Sequence, residues 1–269
     1  MYMYKMELEQ RVQERERLFN EISNREKVFI FETIRDRFSL EPNPNHTVLD
    51  FGCGRGVMVT YLHSLGYNAY GCDISEVWEK FPDSPVDRLA LIAMEPYRLP
   101  YEDNTFDVVF STSVLEHAKN QEEFFLEIHR VLKPGGISMH LYPGKWYLPS
   151  EPHIHIPLLN YFWPRHPKWW IDLWLLVRAV YSPKIVPYRK DILQQYIDFC
   201  DTGIIYVPNK RYRQLSMKIF GNYGSLMDFY IERAGGGFAR LARKLPFRSL
   251  SAWISSNLRM NFIYQRKEA

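Results

Sequence analysis

Three glycines alternate with other residues in VLDFGCGRG, residues 48–56, directly behind an apolar run that contains Asp50. Without side chains, Gly52, Gly54 and Gly56 leave backbone N–H groups uncovered. A helix beginning just behind them would add more donors, so the stretch suits a ligand that approaches the main chain closely. A second acid, Asp73, closes the next apolar segment, YNAYGCDI. A carboxylate has two acceptor oxygens and suits a pair of neighbouring hydroxyls, such as those of a ribose. Val57 stands where a dinucleotide fingerprint would need its third glycine, and no G-K-[ST] follows to make a phosphate loop. Farther along, PSEPHIHIP brings Glu151, His153 and His155 together. Histidine titrates near neutrality and can take a proton from a reacting hydroxyl. On an extended chain the two histidines share one face, and Glu151 could orient one of them. A metal would require ligands converging from elsewhere, so none is assigned. His117, in VLEH, reads as structural or as a neighbour of the ligand.

These groups need elements to hold them. Residues 5–38 read as a helix carrying an apolar stripe from Leu18 to Ile34, and EPNPNH breaks it. From Thr47 short apolar strands alternate with helices. Strands fall at 48–51, in YNAYGCDI, in FDVVFS and in ISMHLY, with helices at 57–65 and 121–132. That alternation predicts an α/β, doubly wound, Rossmann-like fold: a mostly parallel sheet with helices on both faces. After Tyr142 the pattern gives way to an aromatic-rich lid following the fifth strand. A helix at 209–220, a weak strand near 225–231, a basic helical stretch after Gly237 and a last strand in RMNFIYQRK follow. The expected units are an N-terminal helical segment (1–45) covering the ligand site, a core (46–142), a substrate lid (143–200) and a completion of the core (201–269).

The chain has 269 residues and a net charge of +3, but residues 201–269 alone hold 12 Lys/Arg against 4 Asp/Glu. A basic end of this kind can meet phosphate, nucleic acid or an anionic membrane. The start is too charged for a secretory signal, and the longest apolar run, WWIDLWLLVRAVY, carries Asp172 and Arg178. Cys53, Cys72 and Cys200 show neither metal spacing nor a disulfide framework. The expectation is a cytoplasmic protein able to touch a membrane surface through residues 237–254.

Four stretches in order resemble the class I S-adenosylmethionine-dependent methyltransferases: VLDFGCGRG, YGCDIS, MEPYRLPYEDNTFDVVFSTSVLEH and VLKPGGISMHLYP, together covering about residues 46–143. The resemblance implies S-adenosylmethionine as cofactor. Gly52, Cys53, Gly54 and Gly56 would approach its methionine part, and Asp50 would orient the amino group. Asp73 would hold the ribose, with Ile74 beside it. Glu95 and Pro96 stand where the family has its adenine contacts, in Met94-Glu95-Pro96 rather than around the more usual Asp. Ser111 and Ser113 would line the methionine side.

Methyl transfer to a hydroxyl needs a base, and His155 or its neighbour His153 is the candidate. HIHIPLLNYFWPRHP is similar to a segment of methyltransferases acting on glycans or glycolipids. The expected reaction is O-methylation of a small-molecule, saccharide or lipid-linked hydroxyl. The alternatives are a hydrophobic acceptor (a quinone or polyketide) and a non-catalytic binding protein of the same fold. Against nucleic acid stand the absence of an Asn/Asp-Pro-Pro-aromatic tetrad, of a catalytic-cysteine motif and of an RNA-binding module.

Overall fold

A computed structural model describes residues 28–78, 85–181, 190–234 and 237–269. Most of the helix expected over 5–38 lies outside these residues. Its described end is α1 (Val28–Glu32), which widens into a π turn through Arg37. The core follows as β1 (Thr47–Phe51), α2 (Val57–Ser64), β2 (Asn68–Asp73), β3 (Leu89–Leu91), β4 (Phe106–Thr112), α3 (Gln121–Val131) and β5 (Leu132–Pro143). The lid carries α4 (Lys168–Tyr181) and α5 (Lys190–Asp198). The remainder is α6 (Asn209–Phe220), β6 (Gly224–Ser225), α7 (Met227–Arg233), α8 (Gly237–Ala242), α9 (Arg248–Leu258) and β7 (Met260–Arg266).

The strands form one sheet in the order β3-β2-β1-β4-β5-β7-β6. The first five run parallel, and β7 lies antiparallel against β5 and β6. Parallel strands covered on both faces read as continuous apolar runs. β4 behaves that way, and its alternation sends Val108 and Phe110 to one core and Val109 to the other. One face packs on α2 and the helices near the C-terminus through Val59, Leu62, Leu226 and Ile231. The other packs on α3 and α6 through Phe124, Ile128, Tyr212 and Phe220. The order reverses between β1 and β4, and crevices at such a reversal, outside the carboxyl ends of the strands, are where this architecture binds ligands.

Local signals explain the boundaries. Asn120 caps α3 by accepting the Glu123 N–H at 3.2 Å, and Glu122 and Glu123 complement the helix N-terminus. Three expectations need correction. The strand near 225–231 is only Gly224–Ser225, and α7 takes the rest. Leu226, Met227, Tyr230 and Ile231 are all buried, a helical spacing that a short window reads as a strand. The basic stretch after Gly237 is two helices, because Pro246 cannot continue the first. The fifth strand begins at Leu132, before the expected ISMHLY, and it pairs with β4 across a register shift.

The lid has a core of its own: Ile154, Ile156, Leu159, Ile171, Leu175, Ile197 and Cys200. Aliphatic side chains fill it. Leu158, Tyr161, Phe162 and Trp169 remain exposed on its surface.

Candidate active site

The glycine loop leaves β1 through two N–H groups, Gly52 and Cys53, that both donate to the Cys72 carbonyl at 2.8 and 3.0 Å. The chain then adopts left-handed conformations at Gly52 (φ +82°) and Gly54 (φ +53°), which side chains disfavour. A Cβ at Gly52 would meet Val114 Cγ2 at 2.3 Å, whereas at Gly54 it would meet no described atom within 4 Å. Gly52 is thus closed by packing and Gly54 opens on a space. The Gly54 N–H donates to Asp73 Oδ2 at 2.7 Å, and Asp73 Oδ1 accepts from Ser75 N and Oγ. The second acid is fastened to the first loop, as a shared ligand would require. Gly56 starts α2.

The other expected cofactor residues separate. Asp50 is buried within β1. Ile74, Glu95 and Pro96 are exposed beyond the end of β2 and after β3. Cys53 is a buried packing residue whose sulfur lies against Gly71. Ser113, past the end of β4, is exposed with φ +55°. Ser111 does not face the crevice. Its hydroxyl is held inside the sheet by His140 Nδ1 at 2.8 Å, and Ser138 Oγ meets the same ring's Nε2 at 2.6 Å. Burial pushes the His140 imidazole down to about 3, so it is a neutral core group. Thr112, which spacing did not single out, ends β4 with its hydroxyl buried and without a protein partner among the described residues. An open cradle at Gly54, a carboxylate tied to it and a buried hydroxyl awaiting a partner fit a cofactor with polar ends.

A second cluster forms where the chain leaves β4 and β5. The turn Leu115–His117 presents Glu116 and His117, and the segment after β5 brings Glu151 and His153 against them. Residues 151–156 are not extended, as the shared-face reading required. They form a turn in which His155 N donates to the Glu151 carbonyl and Glu151 N to that of Ile156. His155 has φ +56° and is exposed outside the cluster, whereas His153 turns inward. Glu151 collects four donors: His153 Nδ1 and the Tyr206 hydroxyl on one oxygen, and the N–H groups of His153 and Ile154 on the other. Burial alone would raise the Glu151 carboxyl, but the His153 bond and charge and the Tyr206 bond hold it below its ordinary value. Burial would lower His153, yet Glu151 first and Glu116 next raise it. His117 is lowered, chiefly by burial and further by the charge of His153. Its Nε2 faces His153 Nε2 at 3.2 Å, and Phe199 packs beside both rings.

Residues 49–139 match the family model described as a methyltransferase domain. This segment is a class I S-adenosylmethionine-dependent methyltransferase domain. The sterol 4-C-methyltransferase strm-1 of Caenorhabditis elegans is 36% identical over 103 residues, 36% of this chain and 31% of that protein. The ubiquinone biosynthesis O-methyltransferase of Maricaulis maris is 30% identical over 117 residues, 40% of this chain and 46% of that protein. These matches therefore span less than half of each relative. A solved S-adenosylmethionine-dependent methyltransferase from Mesorhizobium loti is similar at 15% identity and a TM-score of 0.49, over 86% of this chain and 95% of that one.

Within the methyltransferase domain, the glycine cradle, Asp73 and Thr112 are the residues that would hold S-adenosylmethionine. The bound cofactor supplies a methyl group on a positively charged sulfur. The domain itself contributes Glu116 and His117, while Glu151, His153 and Tyr206 come from beyond it. Sequence reasoning missed Glu116 and Tyr206. Nothing in their spacing marks them: Glu116 meets His153 only because β4 and β5 lie side by side, and Tyr206 reaches Glu151 from beyond the lid.

Proposed function

We propose that the chain transfers a methyl group from S-adenosylmethionine to the hydroxyl of a small-molecule, saccharide or lipid-linked acceptor. The observation that carries this reading is the cluster of Glu116, His117, Glu151 and His153 at the carboxyl ends of β4 and β5, the same edge that bears the glycine cradle. In the transfer, a carbon–oxygen bond forms as the carbon–sulfur bond breaks, and the hydroxyl proton must leave. The cluster is the nearby proton acceptor, with His153 held in one orientation by Glu151. The relatives divide by name into O-, N- and C-methyltransferases, so the acceptor class rests on the cluster rather than on them.

The exposed lid aromatics Tyr161, Phe162 and Trp169 favour an acceptor with a sugar face or an apolar tail. A second surface fits a lipid-linked one. Phe247, Leu250 and Trp253 recur every third residue from the start of α9, at 66%, 45% and 64% exposure, beside Arg248. We infer that this stripe rests on an anionic membrane, with Arg240 and Lys244 nearby in sequence adding charge. Among the described residues no helix is long and apolar enough to cross a membrane.

The test is methyl transfer from labelled cofactor to a panel of sugars, phenols and lipid-linked saccharides. General-base assistance contributes about 10²–10⁴-fold, so His153→Ala should lower turnover by that order and leave cofactor affinity unchanged. His155→Ala should cost far less. Equal turnover in the His153→Ala variant, or a product methylated at nitrogen or carbon, would overturn the reading.

A further inference from the structure

We propose that Glu116, His117 and His153 form a binding site for one divalent first-row transition-metal ion. The tautomers supply the first reason. His117 Nδ1 bonds the Gly203 carbonyl, which can only accept, so Nδ1 carries the hydrogen. His153 Nδ1 lies 2.6 Å from Glu151 Oε1. That carboxylate already takes three other donors and is ionised, so His153 Nδ1 also carries its hydrogen. In its neutral form each imidazole then points the lone pair of Nε2 at the other across 3.2 Å. Two lone pairs at this distance repel unless a positive species stands between them.

The third group decides what that species is. The buried carboxylate of Glu116 has Oε1 3.7 Å from His153 Nε2, and one ligand atom from each of the three residues falls within 4.8 Å of the others. A shared proton engages the nitrogen pair alone, whereas a metal ion among the three ligand atoms can be reached by both nitrogens and the carboxylate. The distances agree with one. Two imidazole nitrogens bound to zinc at about 2.0–2.1 Å and a tetrahedral angle lie about 3.3 Å apart. Two nitrogens and one oxygen suit zinc, cobalt or iron(II) rather than magnesium or calcium, which prefer oxygen throughout. The surroundings are those of a built site. Each ligating imidazole has its second nitrogen fixed, one by a carbonyl and one by a carboxylate, and Tyr206 holds that carboxylate in turn.

Three protein ligands leave a coordination position open in a tetrahedral site. If the O-methylation reading holds, the acceptor oxygen would take it, the ion would lower the hydroxyl's proton affinity so that the proton leaves to solvent, and His153 would serve as a ligand in place of the base. This catalytic consequence rests on that reading. The binding of the ion does not.

The test is a cobalt(II) titration of the chelator-treated full chain, followed by ligand-field absorption and by the unfolding temperature. One equivalent should bind with the intense visible bands of a four- or five-coordinate site, raise the unfolding temperature and be displaced by zinc but not by magnesium. His117→Ala and His153→Ala should each weaken binding more than a hundredfold. Glu151→Gln should weaken it about 10–100-fold, because it acts only through His153. His46→Ala, at the opposite end of β1, should change nothing. Circular dichroism of each variant confirms that it is folded, and the wild-type titration stands even where a variant is not. Absence of stoichiometric cobalt or zinc binding by the wild type, or undiminished binding in folded His153→Ala, would overturn the site. Methyl transfer to a hydroxyl with no ion bound would overturn the ion's catalytic role while sparing the O-methylation reading. Stoichiometric cobalt binding by a chain that does not bind S-adenosylmethionine would do the reverse.

Discussion

Gly54→Ala should separate folding from cofactor binding. Its new Cβ would meet no described atom within 4 Å, so the folding cost is limited to placing a side-chain residue at φ +53°. That conformation costs about 1–2 kcal/mol for an L-residue. For a chain of this size it corresponds to a fall of roughly 2–8 °C in unfolding temperature. The same methyl group projects into the space assigned to the cofactor, and a loss of about 1.4 kcal/mol or more there weakens binding tenfold or more. Gly52→Ala should behave differently. It bears the same backbone cost at φ +82°, and its Cβ collides with Val114 Cγ2 at 2.3 Å. Overpacking of this kind adds about 1–3 kcal/mol, so the total is about 2–5 kcal/mol. Val114→Ala in the Gly52→Ala background should return part of the overpacking loss and none of the backbone loss. Calorimetric titration with S-adenosylhomocysteine and thermal unfolding of the four proteins provide the measurements. Wild-type cofactor affinity in Gly54→Ala would refute the cradle. Equal stability of Gly52→Ala and Gly54→Ala would refute the division between a packed and an open glycine.

Asp73→Asn should weaken cofactor binding about 10–150-fold, since a hydrogen bond to a charged group contributes roughly 1.5–3 kcal/mol, and calorimetry that shows no change would remove its ribose role. His140 should make the fold acid-sensitive. Its folded value of about 3 lies below the unfolded value near 6.5, so below pH 6.5 the unfolded chain binds the extra proton and stability falls until about pH 3. The slope is about 1.4 kcal/mol per pH unit, or about 2 kcal/mol between pH 6.5 and pH 5. Urea unfolding across that range should show it in the wild type and lose it in His140→Gln; the same slope in both proteins would assign the effect elsewhere. The stripe on α9 should carry the chain onto phosphatidylglycerol vesicles at low salt and not onto phosphatidylcholine, with Trp253→Ala reducing sedimentation several-fold. No sedimentation with either lipid would remove the membrane from the account.

Most of the sheet was legible because β1 and β4 are mostly apolar, buried runs and because β2 and β7 carry buried apolar residues such as Ala69, Cys72, Phe262 and Ile263. The three-residue β3 was not, since Leu89–Leu91 is too short to give a period. The cofactor side was legible for a related reason. A glycine loop and the acid after the next strand are local features, and the parallel pairing of β1 with β2 brings Asp73 to Gly54. Ser111 shows the limit of this reasoning. A strand-end serine can face the crevice or the interior, and the choice depended on His140 across the β4–β5 pair.

The acceptor side depended on a longer relation. His117 and His153 are 36 residues apart and their nitrogens lie 3.2 Å apart. Their meeting follows from the sheet. β4 and β5 are paired to the last residue of β4, with Thr112 opposite Leu141 and the Ser113 N–H donating to Leu141 O at 2.8 Å. Five residues beyond Thr112 and ten beyond Pro143, the chain can still reach the same edge, so side chains there can converge even when their spacing along the sequence is uninformative. An H-x-H pair read alone suggests a strand face. Beside the post-β4 Glu-His of a parallel neighbour, only His153 turns inward, and the turn that removes His155 from the cluster is the same one that lets Glu151 accept two backbone N–H groups and hold the His153 ring. Glu151 therefore shapes the backbone and orients the imidazole with one carboxylate. Its replacement should disturb both histidines' surroundings more than the loss of the exposed neighbour His155.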